Sequence, residues 1–446
     1  MTARLKNFWN AIQGSLWFLP SSVVVACVAV AFFMVWLDTS VIGQALPDIP
    51  LLLQAGPEGA RDMLSTIASS MLTVASIAFS FTIVVFSFAS TQYGSRTLHN
   101  FMDDNVNQVV LGVLLGTFVY CQVVLRTIRL EQGSFVPSMS VNFALLLAIA
   151  DLGLFIFYIH HVAETIQAYH IVQRVGAGTR KSIESIFHER ASSPAHPIAD
   201  EDLYRLIGPQ VDIRCSKEGY IQAIDTDSIL ALMQRHDLVI EYSKAVGMYV
   251  VQGERLACVG PAARVTEAVI AQVHDSFLLG AHRTLYQDPQ YGVLMLTDIA
   301  IKALSPAIND PNTAVMSLNQ VSSVLRLVAA RELPEQVRYG VDGKVRAILK
   351  APTFANLAAQ AFDQVRRFGM SDATIPIKLL DVIEEIATGD PLPEHLEVLR
   401  LHARAIIEDA ELNLKSTRDR ALFSQKVSNL PESLASGTEY SLLQMP

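Results

Sequence analysis

Four runs of apolar residues dominate the first part of the chain, from about Trp17 to Leu37, Met63 to Ser90, Val109 to Leu125 and Val141 to His161. Each is near the roughly 20 helical residues that cross a hydrocarbon core about 30 Å thick, so the pattern predicts four membrane-spanning helices. Arg4 and Lys6 precede the first run as they would in a secretory signal. Its apolar core is longer than a signal's and no small-residue cleavage site clearly follows, so it reads as a retained span with Trp17 and Trp36 near the two interfaces.

From Val211 the apolar positions alternate over short distances. Val211 to Cys215 and Tyr220 to Ile224, joined by a turn ending at Gly219, predict a hairpin. Asp225 to Asp227 can cap a short helix reaching about His236, followed by strands near Leu238 to Glu241, Met248 to Val251 and Arg255 to Val259. The run from Val246 to Leu256 resembles the small β sandwich of biotinyl and lipoyl carrier domains, but neither Lys217 nor Lys244 has the flanking residues of their modified-lysine hairpin. Beyond this module the spacing of threes and fours predicts helices: one ending at Ser305-Pro306, one starting at Asp310-Pro311, and others over Thr353 to Phe368, Ala373 to Thr388 and Pro393 to Ser416. The expected fold is a multi-pass α-helical membrane domain (residues 1–173) followed by an α+β cytoplasmic domain. The latter divides into a helical connector (174–210), a small β-sandwich-like module (211–262), a mainly helical region (263–430) and a poorly ordered tail (431–446).

Composition sharpens this division. Hydrophobic residues make up 51% of the 446 residues and charged residues 17%, which excludes a disordered chain. Only six Lys or Arg and nine Asp or Glu lie between Met1 and Gln173, leaving 28 basic and 34 acidic residues for the rest. The net charge of -9 gives no basic surface on which to expect nucleic acid. Cys27 and Cys121 fall in apolar runs and Cys215 and Cys258 in the polar half, with no CxxC spacing, which suits a reducing cytoplasm for the polar half. The bias of Lys and Arg in the loops places both termini in the cytoplasm of a bacterial inner membrane, with Arg61, Arg126 and Arg129 outside. Arg126 and Arg129 either snorkel from the third span or form a charged mouth.

Candidate chemistry concentrates in the spans. Ser65, Ser69, Thr73, Ser76, Ser80, Ser87 and Thr91 recur at threes, fours and sevens, which puts them on one stripe of the second helix. Such a stripe either packs closely against another helix or lines a hydrated path contributed once per subunit, with Phe79, Phe86 and Phe88 packing elsewhere. Asp151 lies near the middle of the fourth span, where an ionised carboxylate costs at least about 2.5 kcal/mol and needs water, a proton or a partner such as Tyr120, Gln122 or Ser76. His160, His161 and Glu164 follow at the inner end; His160 and Glu164, one turn apart, could share a metal but are too few to specify a site, and the cluster reads first as an interfacial polar collar. In the polar half, Ser305 to Thr313 reads as helix punctuation, or as a ligand or subunit contact made by Asn309, Asp310 and Thr313 with the freed amides of the next helix. No Walker loop, dinucleotide fingerprint, GxSxG or HExxH occurs, so no cofactor is expected and an enzyme is the weaker alternative.

Three segments resemble a bacterial family of predicted membrane proteins of unknown function (domain of unknown function 2254): Leu64 to Arg96 with Asn100 to Leu125, Phe157 to Gln167, and Gln287 to Ala314. The resemblance implies an inner-membrane protein with several spans and a cytoplasmic domain, and it carries over no activity. The leading expectation is an oligomeric ion channel or channel-like protein, with Ser69, Thr73, Ser76, Ser80, Ser87 and Asp151 along its path. The alternative is a non-conducting sensor or scaffold whose cytoplasmic part binds a ligand or protein. The lipid bilayer, further copies of the chain and a small ion or cytoplasmic ligand are the expected partners.

Overall fold

The computed structural model describes residues 17–40, 56–94, 96, 105–129, 135–186, 208–331 and 337–435. The chain divides into two compact units, residues 1–167 and 168–446.

The first unit contains α1 (Phe18–Thr39), α2 (Pro57–Tyr93), α3 (Asn105–Leu125) and α4 (Ser138–Thr165), and all four are long and apolar enough to cross a membrane. The helices outrun the apolar runs that predict them because hydropathy fades before helical geometry does. In α2 the helix begins at Pro57, whose fixed φ and missing N–H suit the first turn, and stops at Gly94, whose φ of 93° only glycine adopts freely. At 37 residues α2 is the longest of the four. α3 packs on α1 through a close approach of backbones. A Cβ added at Gly112 would lie 2.9 Å from the Pro20 Cα, and one at Gly116 2.5 Å from the Cys27 Sγ. The two glycines form a GxxxG pair, which lets helices meet where any side chain would hold them apart.

Two apolar clusters fill the bundle. One joins Leu64, Ala68, Tyr120, Val124, Val141 and Ala144, and the other Ala75, Ala78, Val85, Leu114, Tyr158 and Val162. Asp38, at the end of α1, closes the start of α4 by accepting the Met139 and Ser140 amides, both at 2.9 Å, and the Ser140 hydroxyl at 2.6 Å. These amides have no partner within their own helix, so a carboxylate there is stabilising.

The second unit opens with α5 (Ala168–Ile186) and then combines two sheets with a helical layer. Its strands are β1 (Val211–Arg214), β2 (Gly219–Ile224), β3 (Val239–Tyr242), β4 (Tyr249–Val250), β5 (Arg255–Gly260), β6 (Phe277–Gly280), β7 (Val337–Tyr339) and β8 (Val345–Ile348). One sheet has the order β1-β5-β3-β8-β7, antiparallel except for the parallel β3–β8 pair, and the other is the antiparallel β4-β2-β6. The expected β1–β2 hairpin does not form. β1 pairs with β5 and β2 with β4 and β6, so the turn at Ser216 to Gly219 carries the chain from one sheet to the other. The reason lies in the core: Ile213 of β1 and Ile221 of β2 enter one apolar cluster from two sheets, together with Ile240, Val250, Val259 and Val273. The strands are also not confined to 211–262, since β6, β7 and β8 come from the stretch expected to be mainly helical.

α6 (Thr226–His236) and α7 (Glu267–Ser276) contribute Ile229, Leu232, Val269 and Val273 to that cluster. The helical layer comprises α8 (Pro289–Ala303), α9 (Pro311–Ala329), α10 (Phe354–Gly369), α11 (Thr374–Ala387), α12 (Pro393–Asn413) and α13 (Thr417–Ser428). α5 packs on α8 and α9, where Gly292 faces Thr179 and Gly176 faces Gln320 too closely for any Cβ. α4 ends at Thr165, and α5 starts afresh at Ala168 as part of the second unit.

Candidate functional site

At 100° per residue, the hydroxyl stripe of α2 lies opposite the face formed by Ala60, Leu64, Ala75, Ala78 and Ala89. That alanine face is the buried one. Ser69, Thr73, Ser76, Ser80 and Ser87 are all exposed, pointing away from the rest of their own unit. Phe79 and Phe88 do not pack elsewhere in the unit but are exposed beside the stripe, as are Ile77 and Phe81. Several of the hydroxyls bond back one turn: Thr73 donates to the Ser69 carbonyl at 2.9 Å, Ser76 to Leu72 at 2.8 Å and Thr91 to Ser87 at 2.9 Å. This arrangement satisfies the donor in an apolar setting.

Asp151 does not share that surface. It is 1% exposed, inside the bundle, and neither carboxyl oxygen has a hydrogen-bond partner among the described residues. Its surroundings are Thr117 of α3, whose buried hydroxyl is also unpartnered, and the Cys27 and Cys121 thiols. The partners suggested by helix spacing are engaged elsewhere or turned away: Tyr120 donates to the Ser140 carbonyl at 3.0 Å, Ser76 bonds its own helix, and Gln122 is exposed. Between Phe18 and Thr39, and along all of α3, the sequence holds no Lys or Arg that could neutralise Asp151. An unpaired carboxyl in such a place is costly, and that cost is the usual mark of function inside a membrane bundle.

The remaining candidates are spread over both units. Arg126 and Arg129 are exposed just beyond the end of α3, at the end of the bundle where Leu64 meets Val124 and Val141. At the other end of α4, His160 lies 3.3 Å from Glu164 with both side chains exposed, while His161 stacks on Phe157. Among the described residues no group of three His, Cys, Asp or Glu is arranged to hold a metal. In the second unit Asp310 caps α9, accepting the Thr313 amide at 3.1 Å and the Thr313 hydroxyl at 2.6 Å, so its two oxygens serve the helix. Asn309 is exposed before it with φ at 48°. That geometry accounts for Ser305 to Thr313 as a tight break between α8 and α9.

One charge cluster escaped the sequence reading. Asp237 ends α6 in the left-handed region with φ at 50° and receives Arg264, Arg346 at 3.0 Å and Lys344 at 3.5 Å. Arg264 first, then Arg346 and Lys344, hold its carboxyl down from the ordinary 3.8 to about 2. Arg346 is buried, ties β8 to the end of α6 through Asp237 and the Leu238 carbonyl at 3.2 Å, and also reaches Asp342 at 2.6 Å. No local motif links these residues, since they come together only when β8 pairs with β3.

Comparison with known proteins agrees with the bundle of long apolar helices. Uncharacterized proteins of Mycobacterium tuberculosis (strain ATCC 25618 / H37Rv) and Mycobacterium bovis are each 28% identical to this chain over 438 residues, covering 95% of it and 81% of their own length. No solved structure matches. The model of the family described as "Predicted membrane protein (DUF2254)" matches residues 13–385, most of the chain and all four long apolar helices, and the chain belongs to that family.

Proposed function

We propose that the protein is a channel-like permeation protein of the bacterial inner membrane that works as a homo-oligomer. The hydroxyl stripe of α2 from each subunit lines the path, Arg126 and Arg129 charge one mouth, and the second unit regulates it from the cytoplasm, an orientation that the Lys and Arg bias of the loops supports. The observation that carries this reading is the outward direction of Ser69, Thr73, Ser76, Ser80 and Ser87, opposite the buried alanines of α2. Facing acyl chains, those oxygens would gain nothing. Facing sister subunits, they offer a row of acceptors to water or to an ion. Asp151 acts from inside the wall of each subunit, where its charge or proton sets the field along the path.

A second reading is supported by the bonds of Thr73, Ser76 and Thr91 to their own helix. Hydroxyls satisfied in this way suit a dry contact between subunits, and the protein would then be a sensor or scaffold without flux.

Flux into proteoliposomes holding the purified protein, measured for several cations and anions, separates the two. Permeation predicts a flux that Ser80→Leu abolishes and Asp151→Asn alters. Liposomes that stay tight around folded protein would sink the channel reading in favour of the scaffold.

A further inference from the structure

The second unit holds a hollow of about 510 Å3 whose polar lining is mostly cationic. Arg180 of α5, Ser323 and Arg326 of α9, and Arg331 form its polar wall, and Leu327 and Ala330 give it an apolar side. Three guanidinium groups face one carboxylate, Glu184, in a chain whose net charge is -9. Arg326 is the only charged residue of α9, so it is not part of a generally charged helix face.

Two of these arginines lie against neutral groups. Arg180 donates to the Gln320 side-chain oxygen at 2.8 Å and to the Ser323 hydroxyl at 3.4 Å, which leaves the Ser323 proton free to point elsewhere. Arg326 lies across Gly389, just after α11. A Cβ at Gly389 would fall 2.8 Å from its Nε, so the missing side chain there leaves the guanidinium room to lie against the backbone. Among the described residues neither Arg180 nor Arg326 makes an ion pair. Not neutralised by an ion pair, forked guanidinium groups match the oxygens of a phosphoryl group. A volume in the range of about 300 to 1,000 Å3 suits a small molecule.

We infer that this hollow binds an organic phosphate. Arg180 and Arg326 take the phosphoryl group with Arg331 at the rim, the Ser323 hydroxyl donates to one of its oxygens, and the apolar remainder of the ligand lies on Leu327 and Ala330. The site is independent of whether α2 conducts.

Calorimetric titration of the full-length protein in detergent micelles tests the site in two arms, one with AMP and ATP and the other with dihexanoyl phosphatidate. The expected result is saturable binding in at least one arm, competed by inorganic phosphate. Arg326→Gln and Arg180→Gln should each weaken it tenfold or more, and Arg326→Lys less. Arg255→Gln, which removes a cation from a separate polar hollow beside Ser243 and Lys350, should leave it unchanged. Binding in the nucleotide arm alone assigns a soluble ligand, and binding in the phosphatidate arm alone a lipid headgroup. No saturable binding in either arm, or an equal loss from Arg255→Gln, overturns the assignment.

Discussion

Tyr158 of α4 donates its hydroxyl proton to the Ala78 carbonyl of α2 at 3.0 Å while the Thr82 hydroxyl of α2 bonds its oxygen, so one phenol ties two helices through a backbone and a side-chain group. Tyr158 is 1% exposed, and the contact is shielded from competing donors. Tyr158→Phe keeps the ring and removes both bonds. Hydrogen bonds between helices in apolar surroundings are worth about 0.6 to 1.7 kcal/mol, so unfolding in detergent should become easier by about 1 kcal/mol. Thr82→Val should cost less, because it leaves the Tyr158 bond to Ala78 intact and otherwise removes only the Thr82 contact with the phenol and a bond to the Ala78 carbonyl within its own helix, at 2.8 Å. Equal effects would show that the phenol's bond to the Ala78 carbonyl is worth no more than that bond within the helix.

The α1–α3 contact is set by the absence of side chains. Gly112→Ala puts a methyl group 2.9 Å from a backbone atom of Pro20, which cannot swing aside as the end of a side chain can. Overpacking of this kind costs about 1 to 3 kcal/mol. The expected outcome is a lower thermal midpoint in detergent, with a smaller drop for Gly116→Ala, whose nearest neighbour is the Cys27 thiol. A larger drop for Gly116→Ala would mean that the thiol, not the Pro20 backbone, sets the spacing.

Asp151→Leu replaces an unpartnered carboxyl with an apolar group of similar size. The bundle should resist unfolding more strongly, by about 1 to 3 kcal/mol, because the cost of burying the polar group disappears. Denaturation in detergent measures this directly. A loss of stability would show that Asp151 has a strong partner in the assembled protein, and a stabilised variant that has also lost its function would mark the carboxyl as retained for activity at the expense of stability.

In the second unit the pH response follows from Asp237. Its folded-state value, about 2, lies below the ordinary 3.8 because Arg264, Arg346 and Lys344 favour the charged form. A depressed value means that the stabilisation is fully present above about pH 4 and is lost as pH falls toward 2. Asp237→Asn keeps a residue that tolerates the left-handed backbone at φ 50° but removes the titration. The thermal midpoint of the variant should therefore fall less steeply between pH 4 and 2. Parallel curves for the two proteins would assign the acid sensitivity to other carboxylates.

Helix existence in the first unit was readable because a run of about 20 apolar residues has few other outcomes. Direction was not. In α2 both the hydroxyls and the alanines are small and periodic, and periodicity alone does not say which row packs inward; Ala60, Ala75 and Ala89 do, while Ser69 and Ser80 face out. For the same reason the surroundings of Asp151 could not be named, since Thr117 and Cys27 approach it only through the way α3 seats on α1. The GxxxG pair at Gly112 and Gly116 was the available signal for that seating. In the second unit the strands were visible as short alternating runs, but their order was not. β3 pairs in parallel with β8 across roughly a hundred intervening residues, and nothing local to Ile240 or Ala347 announces the match.

The length of α2 has a consequence for the hydroxyls it carries. At about 1.5 Å per residue its 37 residues reach about 55 Å, and a tilt of about 40° still leaves about 42 Å to fit a slab of about 30 Å. From Ser65 to Thr91 the row itself measures about 39 Å, so at any ordinary tilt it is at least as long as the slab is thick. The row can therefore reach from one face of the slab to the other, and on the reading in which it lines a path its widest missing step is the two turns between Ser80 and Ser87, where Ile83 and Val84 stand exposed in place of hydroxyls.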